Sequence, residues 1–130
     1  MSKPIAHTEG ICMAFPDMLK TPTPSGPIAL PYPNIAQLSE AQEASPDVKA
    51  GGKAVITETS YIKTSTGGEA GTAGGITSGT FNQKCTFSEF SATVKANGKG
   101  IVRQLDQTCQ NNDNAQGFVM AGFPTVLVGD

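Results

Sequence analysis

The nine residues Ser45-Pro46-Asp47-Val48-Lys49-Ala50-Gly51-Gly52-Lys53 return 46 positions later as Ser91-Ala92-Thr93-Val94-Lys95-Ala96-Asn97-Gly98-Lys99. Each copy sets a Gly-Gly or Asn-Gly pair between two β-prone runs, and such pairs supply the positive φ angles that a two-residue hairpin turn requires. One hairpin is therefore used twice. The segment Phe123-Pro124-Thr125-Val126-Leu127-Val128 reads as the first arm of a further copy. A chain built by repeating one small unit is restricted to short strands and tight turns.

Composition agrees. A length of 130 residues suits one domain, and with 38% hydrophobic residues and no Trp the core is modest. The 15 Gly and 9 Pro favour turns and extended segments over long helices. A net charge of −2 without a basic stripe gives no footprint for nucleic acid. The start, Met1-Ser2-Lys3-Pro4-Ile5-Ala6-His7, has no apolar run of signal-peptide length, and no segment approaches a membrane span. The expectation is folding in a cytoplasm, with any export by a route that needs no signal peptide. Three cysteines cannot form a fully paired disulfide framework, so reduced or metal-bound thiols are expected.

Along the chain, residues 1–44 read as a Pro-rich irregular lead-in, with Pro16, Pro22, Pro24, Pro27, Pro31 and Pro33 opposing both ladders and helices. A short helical turn is expected between Ile35 and Ala44, capped by Asn34. Val48 to Tyr61 forms the first hairpin. Ser65 to Gly79 is a Gly-rich loop. Ile76 to Phe81 and Lys84 to Ala96 read as strands, and Asn97-Gly98 turns into Lys99 to Leu105. Gln107 to Gly117 reads as a polar loop. The sum is an all-β domain with internal pseudo-symmetry.

Catalytic patterns are weak. The Gly-rich loop has Glu69 where a phosphate loop needs Lys, and no helix pattern follows. Gly75-Ile76-Thr77-Ser78-Gly79 lacks the spacing of a nucleophile elbow. His7 is the one histidine, and nothing pairs it with a cysteine nucleophile. Glu58, Glu69, Asp106 and Asp113 are scattered, and Asp106 suits a turn-capping role. His7, Cys12, Cys85 and Cys109 equal the ligand number of a closed zinc site, yet no pair has zinc-finger spacing. Free, reduced cysteine is the competing reading.

Several motifs occur together in order: Pro31-Tyr32-Pro33-Asn34-Ile35-Ala36, Gly51-Gly52-Lys53-Ala54-Val55, Glu69-Ala70-Gly71-Thr72-Ala73-Gly74-Gly75, Val94-Lys95-Ala96-Asn97-Gly98-Lys99 and Arg103-Gln104-Leu105-Asp106. From about Cys12 to Asn112 the chain thereby resembles the PAAR-like domain family. The resemblance implies a small conical all-β domain, 1–130, of β-hairpins in pseudo-threefold arrangement. It implies a non-enzymatic tip that caps the trimeric VgrG spike of a type VI secretion system, one chain per trimer, and helps deliver effector proteins. Such a tip is cytoplasmic until assembly and then leaves with the machine. The resemblance also implies a zinc ion at the apex, for which this chain offers Cys109, Cys12 and His7. The family's usual apex is histidine-rich and this chain has one His, so the site is absent, rebuilt from those three, or replaced by loop packing. Two alternatives stand beside the leading reading: the tip of a phage tail or extracellular injection particle, and a small thiol- or metal-dependent secreted effector.

Overall fold

The repeated segment folds as its turn residues require. In a computed structural model, which describes residues 2–130, Gly51 and Gly52 take φ values of +59° and +80°, and Asn97 and Gly98 take +54° and +80°. We number the strands β1 (Lys3–Ile5), β2 (Ile11–Thr21), β3 (Ile28–Gln37), β4 (Ala41–Gln42), β5 (Lys49–Ala50), β6 (Lys53–Ala54), β7 (Tyr61–Ile62), β8 (Gly74–Gly75), β9 (Cys85–Phe87), β10 (Lys95–Ala96), β11 (Lys99–Gly100), β12 (Gln107–Gln110), β13 (Ala115–Val119) and β14 (Phe123–Val128). The hairpins β5–β6 and β10–β11 share one register, with Ala50 opposite Lys53 and Ala96 opposite Lys99. The serine that opens each copy does the same work in both. Ser45 N–H donates to Val55 O (3.0 Å) and its Oγ accepts from Val48 N–H (3.1 Å); Ser91 N–H donates to Ile101 O (2.8 Å) and its Oγ accepts from Val94 N–H (2.9 Å).

A third hairpin is assembled from the two ends of the chain. β14 pairs antiparallel with β1, Val128 opposite Lys3 and Leu127 opposite Pro4. Lys3-Pro4-Ile5-Ala6-His7 therefore corresponds to Lys53-Ala54-Val55-Ile56-Thr57 and to Lys99-Gly100-Ile101-Val102-Arg103. The three segments close a ring of backbone hydrogen bonds: Ala6 N–H to Val102 O (3.0 Å), Val102 N–H to Ile56 O (3.0 Å), and Ile56 N–H to Ala6 O (3.1 Å). A second ring repeats the order: Thr8 N–H to Ala54 O (3.0 Å), Glu58 N–H to Gly100 O (2.9 Å), and Gln104 N–H to Pro4 O (2.8 Å). This is a pseudo-threefold axis built from one chain.

Strand alternation then sorts the side chains into layers. Ile5, Val55 and Ile101 turn one way and pack with Ala50, Ala96 and Val128 as a small basal cluster. Ala6, Ile56 and Val102 turn the other way into the main core, with Cys12, Leu38, Ile62, Cys85, Phe87 and Val119. The main sheet runs β3-β2-β13-β12-β9-β7-β4, with β8 added along β2.

Residues 11–37 are not irregular: β2 and β3 form the longest hairpin of the chain, paired from Ile11↔Gln37 to Thr21↔Ile28. The prolines fit because of where they fall. Pro16 lies in the bulge between Ala14 and Asp17. Ile35 exchanges hydrogen bonds with Thr66 across the outer edge of β3, and Pro33 and Pro31 share its parity. Their missing N–H groups therefore face outward, not toward β2. Between Ile35 and Ala44 a single 3₁₀ turn, Leu38–Glu40, stands where a capped helical turn was expected, and Asn34 lies buried within β3. Gln107 to Gly117 is not a loop: β12 and β13 pair across a turn in which Asn111, Asn112 and Asp113 hold positive φ. The strands expected over 76–81 and 84–96 shrink to β9 and β10, the rest being turns, bends and irregular backbone. The first hairpin ends at Ala54, and Tyr61 belongs to the main sheet.

Candidate functional site: a pseudo-threefold docking base

The three hairpins present matching surfaces. Val48, Val94 and Val126 occupy equivalent positions and are 37%, 37% and 38% exposed, which marks them as one repeated feature of a single face. Lys49, Lys53 and Lys95 stand exposed around it, with Lys99 half-buried. An apolar rim set among lysines is thus repeated about one axis.

The base is locked where the β10–β11 hairpin meets the β14–β1 hairpin. Asp106 is fully buried and accepts from Arg103 Nε (2.8 Å), Nη2 (3.1 Å) and backbone N–H (2.9 Å). Lys3 Nζ adds a bond at 2.5 Å. Arg103 also reaches Gly129 O (3.1 Å) and Asp130 (3.2 Å), tying β14 down. Hydrogen bonds to Asp106, and then its charge, raise the Arg103 pKa above the ordinary guanidinium value despite burial.

On the far side of the main core, the same strands carry polar side chains. Asp17 is fully buried and accepts from Asn114 Nδ2 (2.6 Å), Asn111 Nδ2 (3.3 Å) and Asn34 Nδ2 (3.4 Å). Gln110 Nε2 donates to both oxygens of Asn34, at 2.8 and 2.9 Å, and Gln110 Oε1 accepts from Thr108 (2.7 Å). Every buried side-chain nitrogen or oxygen among the described residues has a partner, so this knot is a closed network. The Gly-rich loop packs beside it: a Cβ on Gly68 or Gly71 would come within 2.4 Å of the Leu19 side chain. Close packing, not phosphate binding, explains those glycines.

The residues offered for zinc do not assemble. His7 Nδ1 lies 2.9 Å from Ala50 O and its ring tilts against Phe123 at the base. Cys12 faces the main core beside Cys85, where hydrogen bonding to Cys85 and burial hold its thiol well above the usual pKa. Cys109 is half-buried on β12, its pKa raised by desolvation. Among the described residues no three His, Cys, Asp or Glu side chains are grouped to hold a metal. The donor set therefore does not fit a zinc ion.

The fold defines the class: a small all-β domain whose hairpins form a pseudo-threefold base. The family model described as the toxin PAAR-like domain matches residues 10–117, and the chain belongs to that family. It is also 35% identical over 112 residues to the DNase toxin Tse7 of Pseudomonas aeruginosa, a match covering 80% of this chain and 29% of that protein. The chain thus spans less than a third of that relative's length. No solved structure matches it.

Sequence reasoning saw the two internal hairpins but missed the third unit at the N-terminus. A signal was present: Lys3-Pro4-Ile5-Ala6 shares its lysine and its apolar pair with Lys53-Ala54-Val55-Ile56 and Lys99-Gly100-Ile101-Val102. The knot around Asp17 gave no such signal, because its members come from distant segments.

Proposed function

We propose that this chain is a non-enzymatic spike tip: it caps a trimeric VgrG-type spike of a contractile injection system, one chain per trimer. The observation that carries this is the ring of hydrogen bonds through Ala6, Ile56 and Val102. One asymmetric chain matches a threefold axis only if it carries that axis itself, and strand ends set around it suit addition to a β-built partner. Family membership supports the type VI system as the machine, with effector proteins as cargo and export without a signal peptide. The expected result is that tagged chain co-purifies with its cognate VgrG; recovery of the chain alone, with both proteins folded, would overturn the reading.

The similarity to a DNase toxin favours a second reading, in which this chain takes part in an effector. It covers 29% of that toxin, and among the described residues of this chain no three His, Cys, Asp or Glu side chains are grouped to hold a metal. The domain is expected to leave supercoiled plasmid intact with Mg²⁺ or Mn²⁺ present. Nicking that tracks the monomeric protein through purification would assign it catalysis.

A further inference from the structure

The pseudo-axis creates three equivalent joints, each where one hairpin turn meets the segment leading into the next hairpin. At the first, Arg103 fills the space between β14 and the segment of Glu89, Phe90 and Ser91. Its guanidinium stands 3.9 Å from Glu89 and bonds to Gly129 O. The second joint is built alike from Thr57, the β10–β11 turn and the segment of Glu43, Ala44 and Ser45, and it is an open groove of about 310 Å³. A liquid water takes about 30 Å³, so this is room for a side chain.

The two joints agree in detail. Arg103 N–H bonds to the Asp106 side chain (2.9 Å) as Thr57 N–H bonds to the Ser60 side chain (3.0 Å). Asp106 N–H returns to Arg103 O (3.1 Å) as Ser60 N–H returns to Thr57 O (3.0 Å). Glu43 occupies the place of Glu89, and Lys99 that of Lys3, which shares Glu89 with Arg103. Two residues differ: threonine stands where the arginine stood, and Ser60 stands where Asp106 held it, so Glu43 is the carboxylate that the groove itself retains. Glu43 is exposed and has no ion-pair partner among the described residues. The third joint, at His7, has Ala121 in place of the glutamate; Glu9 lines its groove, but His7 and the Phe123 ring occupy the place of the arginine.

We propose that the groove at Thr57 is an arginine socket, taking from a docked protein the guanidinium that this chain supplies itself at Arg103. The occupant is an arginine side chain of the spike, so its source rests on the reading above, while its chemistry rests on the filled joint alone. A planar guanidinium can pair with Glu43 and also use the carbonyl and hydroxyl oxygens around it, which a lysine ammonium matches less well.

The test uses the whole chain and N-acetyl-arginine methylamide as probe, followed by amide NMR shifts. Saturable shifts confined to Glu43, Ala44, Ser45, Thr57 and Asn97 are expected, with millimolar half-saturation, several-fold tighter than for the lysine counterpart. Thr57→Arg fills the groove from within and is expected to abolish those shifts. Glu43→Gln, at an exposed site, keeps the fold and weakens binding several-fold. Shifts that never saturate, that spread over the surface, or that persist unchanged in Glu43→Gln would overturn the socket. Since no spike is present, that failure leaves the docking test untouched.

Discussion

At the scale of residues, the side chain that holds most together is Arg103. It is 3% exposed, and the fully buried Asp106 takes three of its hydrogen bonds. Arg103→Met leaves that carboxylate with Lys3 and the backbone N–H of residue 103 and is expected to cost about 3 kcal/mol, because stranding one partner of a buried pair costs more than the pair contributes. The check is a lower urea midpoint at unchanged m-value; Arg103→Lys should recover only part, lacking the two-pronged geometry. The cysteines give a second prediction. The thiol pKa values of Cys12 and Cys109 are raised on folding, so their protonated forms are favoured in the native state. The linked stability is present below the ordinary thiol pKa and is lost as pH rises through the raised values. Native protein at pH 7.5 should therefore react slowly with iodoacetamide at Cys109 and not at the buried Cys12 and Cys85, while unfolded protein labels at all three. Rapid native labelling of Cys12 would contradict the packing.

At the scale of elements, the hairpin turns separate conformational cost from steric cost. Gly98 holds φ +80° with open space where a Cβ would go, so Gly98→Ala should cost about 1 kcal/mol. Gly51 holds φ +59°, and a Cβ there would lie 2.6 Å from the Phe123 ring, so Gly51→Ala should cost distinctly more, about 2 kcal/mol. Thermal denaturation of the two variants ranks them. The sequence made these turns legible because two-residue hairpins demand particular residues. The repeat at Ser45 and Ser91 likewise announced the two internal hairpins, and the all-β class followed from it. The β2–β3 hairpin was hidden because proline content was read without strand parity: Pro31 and Pro33 are tolerated on one edge and would be excluded from the other. The β12–β13 hairpin was hidden because Thr108, Gln110 and Asn111 are polar yet fully buried, so their alternation does not show as hydrophobic and polar. Of the residues offered as a candidate site, His7 lies on the base but as a packing contact, and Cys12 sits in the core.

At the scale of the molecule, one chain of unlike segments carries a threefold axis. The third hairpin has both chain ends where the others have a turn, with Val128 opposite Lys3. Joining the ends through Asn-Gly and opening the chain between Gly51 and Gly52 should therefore give a folded circular permutant. A dispersed amide NMR spectrum close to that of the parent is the expected outcome, and a collapsed spectrum would mean that the units are not interchangeable. The same axis is the reason to expect a threefold partner, since identical subunits then meet three near-identical hairpins. The most direct measurement is native mass spectrometry of the chain bound to its cognate VgrG trimer. The account predicts a single complex of one chain per three VgrG subunits. A complex with three chains per trimer, or no complex between folded components, would contradict it.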